Sequence, residues 1–228
     1  MEPRRFDLPR YLSVLPLFQE MAADELQRLA AGCRLRRLAR GDHLFRVGEP
    51  CDEFHVTVTG QIKLFALSPA GQEKVIELLG PGTSFAEALM FTGRPYIVNG
   101  QALADSLVLS VGKAAVVAEI ERDPRFAMRM LAGISRRLHG LVRDVEGYTL
   151  RSGQERVIGY LLADVDGEPA NGGAEVQLTP GKSVIASRLN MTPEHFSRIL
   201  HELSAAGLIE VNGRAVRIPS LERLRAGA

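Results

Sequence analysis

Residues 182–206 carry the most specific chemistry in this chain. Thr192-Pro193 reads as an N-cap followed by a first helical residue. Beyond it, Phe196, Ile199, Leu200 and Leu203 recur at i, i+3, i+4 and i+7 and make an apolar stripe. Glu194, Ser197, Arg198 and His201 fall on the opposite face with the same spacing. Those side chains suit the edges of base pairs. Arg198 can donate twice to guanine O6 and N7, Glu194 can accept from cytosine N4, and Ser197 can meet either base type or a thymine methyl. Glu194 and Arg198 stand four apart and are expected to hold each other in a reading posture. Any amphipathic helix leaves a polar face to solvent, so the surroundings must decide.

The surroundings favour nucleic acid. Lys182–Leu189 forms a helix, with small Ala186 where a second helix must come close. Asn190-Met191 makes the turn, because Asn tolerates the left-handed conformation. After the second helix, Leu208–Val211 and Arg214–Ile218 flank Asn212-Gly213, a strong local hairpin signal. Helix, turn, capped helix and hairpin spell a winged helix-turn-helix. DNA contacts are expected from Thr192, Glu194, Ser197, Arg198 and His201, with Lys182, Arg188 and Arg214 on phosphates. Residues 151–228 hold nine Lys+Arg and nine Asp+Glu, so this expectation rests on geometry and not on a basic excess.

A symmetric partner is expected as well. From Pro124 onward, Ala127, Leu131, Ile134, Leu138, Leu141, Val145 and Tyr148 follow a 4-3-4-3-4-3 spacing, an a/d seam held for three heptads. One reading packs this helix on its own domain. The regularity of the seam and its flanking charges favour a second copy of the chain. Gly133 and Gly140 weaken the helix by about 1 kcal/mol each and permit close approach by a neighbouring helix or a ligand.

Residues 1–112 are punctuated by glycines, with short strand-like runs between them. These are His43–Val47, Phe54–Val58, Gln61–Leu67, Lys74–Leu79, Val98–Leu103 and Leu107–Val111. Phe54-His55-Val56-Thr57-Val58 alternates like a half-buried strand. A short helix, Ala23–Ala30, stops at Gly32, and Arg34, Arg36, Arg37 and Arg40 read as a solvated strand face. The expected domains are a β-roll at 1–112, a dimerisation helix at 113–149 and a DNA-binding domain at 150–228. The fold class is α+β: an N-terminal double-stranded β-helix, or jelly roll, then a long helix and the winged helix-turn-helix. Gln154–Val165 is expected as a helix, 166–173 as a loop and Glu175–Leu178 as a strand.

Several functions are excluded. Cys33 and Cys51 are the only cysteines, too few for a disulfide framework, a Cys-x-x-Cys zinc site or an iron–sulfur cluster. No apolar run approaches a membrane span, and nothing near Met1 resembles a signal peptide, so a cytoplasmic protein with no membrane partner is expected. Pro180-Gly181-Lys182-Ser183 imitates a phosphate loop, but Val176 stands where the motif needs glycine. His201-Glu202 lacks the second histidine of a zinc-protease helix. No nucleophile with its base is visible, and no enzyme activity is expected.

Against that background the whole chain resembles the Crp/Fnr superfamily of transcription regulators. Phe45-Arg46-Val47-Gly48-Glu49-Pro50, Gly60-Gln61-Ile62-Lys63 and Phe85-Ala86-Glu87-Ala88-Leu89-Met90-Phe91 carry the likeness, with Thr192-Pro193-Glu194-His195-Phe196-Ser197-Arg198 at the recognition helix. The resemblance implies a cyclic-nucleotide-binding-like β-roll, a homodimer, a double-stranded DNA palindrome like TTGAT-N4-ATCAA, and contact with RNA polymerase. By position in the family, the loop Asp164–Ala174 is the candidate for that last contact. It also implies an effector pocket at Glu87, Tyr96, Ile97, Leu138, Leu141 and Val142. There the family's cyclic AMP ligands are missing. Ala86 replaces a glycine, Tyr96-Ile97 an Arg-Ser pair, and Leu141-Val142 a Thr-Ser pair, so cyclic AMP is not expected. The closest likeness is to the Dnr/Nnr branch. Gly71-Gln72-Glu73-Lys74, Arg137-Leu138-His139 and the run ending at Ile199 look like that branch. It implies a nitric-oxide-responsive activator of denitrification with haem as the sensor, His139 or His55 being the axial ligand. A different small-molecule effector, or none, is the alternative.

Overall fold

The computed structural model describes residues 7–15, 17–18, 21–165 and 173–227. Two compact units divide it, Met1–Ala66 with Ile76–Gly140, and Leu67–Val75 with Leu141–Ala228.

In the first unit, α1 (Leu8–Ser13) is capped by Asp7, whose carboxylate accepts from the Arg10 amide at 3.1 Å. Helix α2 (Ala23–Ala31) ends at Gly32, as its spacing predicts. Two four-stranded sheets follow. One runs in the order β1 (Cys33–Leu38), β8 (Ser106–Gly112), β3 (Glu53–Thr59), β6 (Ser84–Phe85). The other runs β2 (His43–Phe45), β7 (Asn99–Ala102), β4 (Ile62–Leu67), β5 (Glu73–Leu79). The register of β1 on β8 is antiparallel, from Cys33 opposite Val111 to Leu38 opposite Ser106. This is the expected jelly roll. Gly60 turns β3 into β4 at φ +80°, and a Cβ there would lie 2.2 Å from Ser106 Oγ, so only glycine fits. Phe18, Phe54, Phe85 and Phe126 are fully buried and anchor the core.

Strand β3 departs from its sequence pattern. Alternation predicts a half-buried strand, yet Phe54 through Val58 are all buried, His55 and Thr57 included. His55 faces inward because partners await it, whereas the buried Thr57 hydroxyl finds none among the described residues. Ser110 Oγ lies 2.9 Å from His55 Nδ1 and Tyr96 Oη lies 2.8 Å from His55 Nε2. On β1, Arg34 and Arg36 reach Glu53 at 2.7 and 3.5 Å, so this face is partly ion-paired.

After α3 (Glu87–Thr92) come α4 (Lys113–Arg122) and α5 (Arg125–Leu150). The region read as one helix is therefore two, broken at Asp123-Pro124, where proline disfavours helix in the residue before it. Glu119 of α4 is buried and takes both Arg28 (2.9 and 3.1 Å) and Arg122 (2.9 Å). Helix α5 carries two stripes. Phe126 and Met130 are buried, with Gly133 and Arg137 on the same line at half exposure. About a quarter turn away lies the seam read from the sequence. There Ala127 and Ile134 are half-buried, and Leu131, Leu138, Leu141 and Val145 are exposed. The Tyr148 side chain lies outside the described residues.

In the second unit, α6 (Gly153–Ala163) opens with a capping box. The Ser152 hydroxyl accepts from the Glu155 amide, and Glu155 accepts from the Ser152 amide. The expected loop at 166–173 lies outside the described residues except Gly173, as does most of the segment implied to meet RNA polymerase. Strand β9 (Ala174–Gln177), α7 (Lys182–Arg188), α8 (Pro193–Ala205), β10 (Glu210–Asn212), β11 (Ala215–Ile218) and α9 (Leu221–Ala226) complete the unit, with sheet order β10-β11-β9. Among the described residues no helix is long and apolar enough to cross a membrane.

Candidate nucleic-acid interface and effector cavity

The reading helix α8 is built as its sequence predicts. Thr192 caps it, its hydroxyl accepting from the His195 amide at 3.2 Å, and Pro193 fills the first turn. Phe196, Ile199, Leu200 and Leu203 are buried against a core that includes Ile185 and Ala186 of α7. Between the helices Asn190 takes φ +55°, and the Met191 amide donates to the Ala186 carbonyl at 3.0 Å. Glu194, Ser197, Arg198 and His201 are exposed together on the outer face of α8. Packing the apolar stripe inward forces this face outward.

Three details correct the sequence reading. Arg198 pairs with Glu202, Nε to Oε1 at 3.8 Å, and not with Glu194. Both arrangements are four residues apart, and the partner one turn toward the C-terminus is the one within reach. Arg188 is held by Asp144 at 2.5 Å and is mostly covered, whereas Lys182 and Arg214 are exposed. In the wing, Asn212 pairs with Ala215, so the two loop residues are Gly213 and Arg214 and not Asn212-Gly213. Gly213 at φ +61° takes the first loop position, the Gly-first hairpin turn.

A second site lies within the first unit. A cavity of about 330 Å³ is walled by Leu15, Leu17 and Phe18 after α1, Val56 of β3 and Glu77 of β5. Gly82, Thr83 and Ser84, then Glu87 at the start of α3, and Gly133, Arg136 and Arg137 of α5 close it. Arg137 donates to the Ser84 carbonyl at 2.6 Å and to the Glu77 carboxylate at 2.5 Å. Of the residues expected at the effector pocket, Glu87 alone lines this cavity. Ile97, Leu138, Leu141 and Val142 are exposed. Tyr96 is buried elsewhere in the unit, stacked on Phe45 with ring centroids 3.7 Å apart. On α5 the expected wall at Leu141-Val142 stands one helical turn beyond Arg137, the residue that lines the cavity. The sequence did single out Gly133 as a point of close approach, and there Leu17 lies 3.4 Å from where a Cβ would stand.

Haem requires an axial ligand, and among the described residues no His, Cys, Met or Tyr lines the cavity. Both ring nitrogens of His55 are engaged, and burial, aided by the charges of Arg36 and Arg34, pushes its pKa down to about 3. His139 is exposed on α5, outside the cavity. Burial likewise pushes the Tyr96 hydroxyl and the Cys51 thiol up, and takes Cys33 up to about 12, so neither cysteine is a ready nucleophile.

The fold and the exposed face of α8 agree with what the chain is similar to. A cyclic nucleotide-binding domain model matches residues 35–123, and a Crp-like helix-turn-helix domain model matches residues 155–226. The solved structure of DNR from Pseudomonas aeruginosa is 33% identical, with 99% of each chain covered and a TM-score of 0.53. FixK2 from Bradyrhizobium japonicum shares the fold at 20% identity, with a TM-score of 0.76 over 85% of this chain and 96% of its own. The CRP-like cAMP-activated global transcriptional regulator of Mycobacterium tuberculosis is 23% identical over 210 residues, 91% of this chain and 94% of its own length. The last of these is by its name a transcriptional regulator. With a jelly roll, a long helix and a helix-turn-helix in that order, and a relative this similar along its whole length, the chain belongs to the Crp/Fnr family of DNA-binding transcription regulators.

Proposed function

We propose that this chain is a homodimeric activator of the Dnr/Nnr branch that binds a TTGAT-N4-ATCAA-like palindrome when a small effector enters the cavity beside Glu87. The exposed quartet Glu194, Ser197, Arg198 and His201 on a capped, rigidly packed helix carries the reading. A palindrome calls for two copies, and the open stripe Leu131, Leu138, Leu141 and Val145 on α5 offers them an apolar seam. Effector binding shifts the dimer between states whose paired helices fit or miss half-sites about 34 Å apart, and the bound dimer engages RNA polymerase. A mobility-shift titration on the palindrome tests this. Two chains are expected per duplex. Arg198→Ala is expected to lose about 1–3 kcal/mol of discrimination at one base pair. Equal loss on every sequence, or one chain per duplex, discards the reading.

Nitric-oxide sensing through haem is the second reading. The observation behind it is His139, exposed on α5 beside exposed Leu138, Leu141 and Val142, an apolar surface that carries an imidazole nitrogen. Reconstituted protein with a Soret band that shifts with nitric oxide and weakens in His139→Ala supports this reading; an unshifted spectrum ends it.

A further inference from the structure

We infer that the cavity of the first unit takes a small organic amine, its ammonium group on Glu87 and its apolar body against Leu17, Phe18 and Val56. This rests on the proposal that the cavity is the effector site, and it names the class of ligand. Glu87 is only 7% exposed and lines the cavity, yet among the described residues no hydrogen bond or ion pair reaches its carboxylate. Its oxygens are not wholly covered, so a ligand that fills the cavity takes their remaining water, which is destabilising unless the ligand supplies a partner.

The neighbouring charges are already matched or keep their water. Glu77 is held by Arg137, and Arg137 is held a second time by the Ser84 carbonyl. Arg136 is exposed. The buried charge in this wall that lacks its complement is therefore the negative one of Glu87. An acidic ligand would set a further anion beside Glu87 and Glu77, and a neutral apolar one would leave Glu87 stripped of water. An ammonium group supplies a charge-assisted hydrogen bond. The remaining wall is apolar at Leu15, Leu17, Phe18 and Val56. The volume of about 330 Å³ sits at the small end of ligand pockets, which run from about 300 to 1,000 Å³.

Calorimetric titration of the full chain without DNA tests this with phenethylamine, phenethyl alcohol, phenylpropionate and cyclic AMP. The amine is expected to bind at least about tenfold more tightly than the other three. Glu87→Gln should remove that preference. Gly133→Leu should abolish amine binding by filling the space beside Leu17 while keeping a cooperative thermal transition, and it decides the matter if Glu87→Gln fails to fold. Tighter binding of the acid or the nucleotide, an amine affinity unchanged in both variants, or no heat from any of the four overturns the proposal. Since no DNA is present, amine failure leaves the palindrome reading standing, and palindrome failure leaves an amine result standing.

Discussion

The two units keep their polar groups in opposite places. In the first, His55, Thr57, Lys63, Glu87, Asn99, Ser106, Ser110 and Glu119 are buried. In the second, the buried residues described are apolar, from Val157 on α6 to Leu224 on α9, and the polar chemistry stands outside on α8. A plain apolar core makes a stiff platform for a face that must meet a rigid duplex. An interior stocked with titratable and hydrogen-bonding groups is one that protons and small molecules can address.

The sharpest way to break this contrast is through the second core. Phe196 is fully buried behind the reading face, so Phe196→Ala should cost about 3–5 kcal/mol of that unit's stability. Scanning calorimetry should show one transition moving and the other fixed; equal shifts in both would erase the division. Acid should single out the first unit. His55 has a folded pKa of about 3 against 6.5 in the unfolded chain, so the unfolded chain binds more protons between those values. The stability from keeping it neutral is present above pH 6.5 and lost as pH falls from 6.5 toward 3, a loss on the order of a few kcal/mol. Unfolding followed across that window should show the steeper slope in the first unit, flattened in His55→Gln. The smallest effect concerns Ala86, a non-glycine residue at φ +71° next to Glu87. Ala86→Gly should relieve about 1 kcal/mol of strain and raise the first transition slightly.

The same contrast explains what could be read in advance. The α8 face was legible because its cap, stripe and polar quartet lie within about a dozen consecutive residues, where spacing alone fixes direction. The cavity gathers side chains from residues 15 to 137, and no local period reports such a gathering. Glu87 was found by resemblance. Arg137 entered in the run Arg137-Leu138-His139 and not as a cavity residue, although Phe126, Met130, Gly133 and Arg137 follow their own 4-3-4 spacing, the signal that a second buried stripe was present. His55 was misdirected by alternation. A polar residue on the expected solvent side of a strand looks the same in sequence whether water or Tyr96 receives it.

Glu202 has a consequence for how the reading head travels. It sets an anion beside Arg198, in a domain whose nine basic residues are balanced by nine acidic ones. Affinity for arbitrary duplex scales with the number of backbone charges a protein neutralises, so this head is expected to show a weak grip on random sequence and a shallow dependence on salt, which a salt titration of non-specific binding checks. Such a regulator is expected to reach its operator mainly through repeated encounters from bulk solution, with little one-dimensional sliding along the duplex.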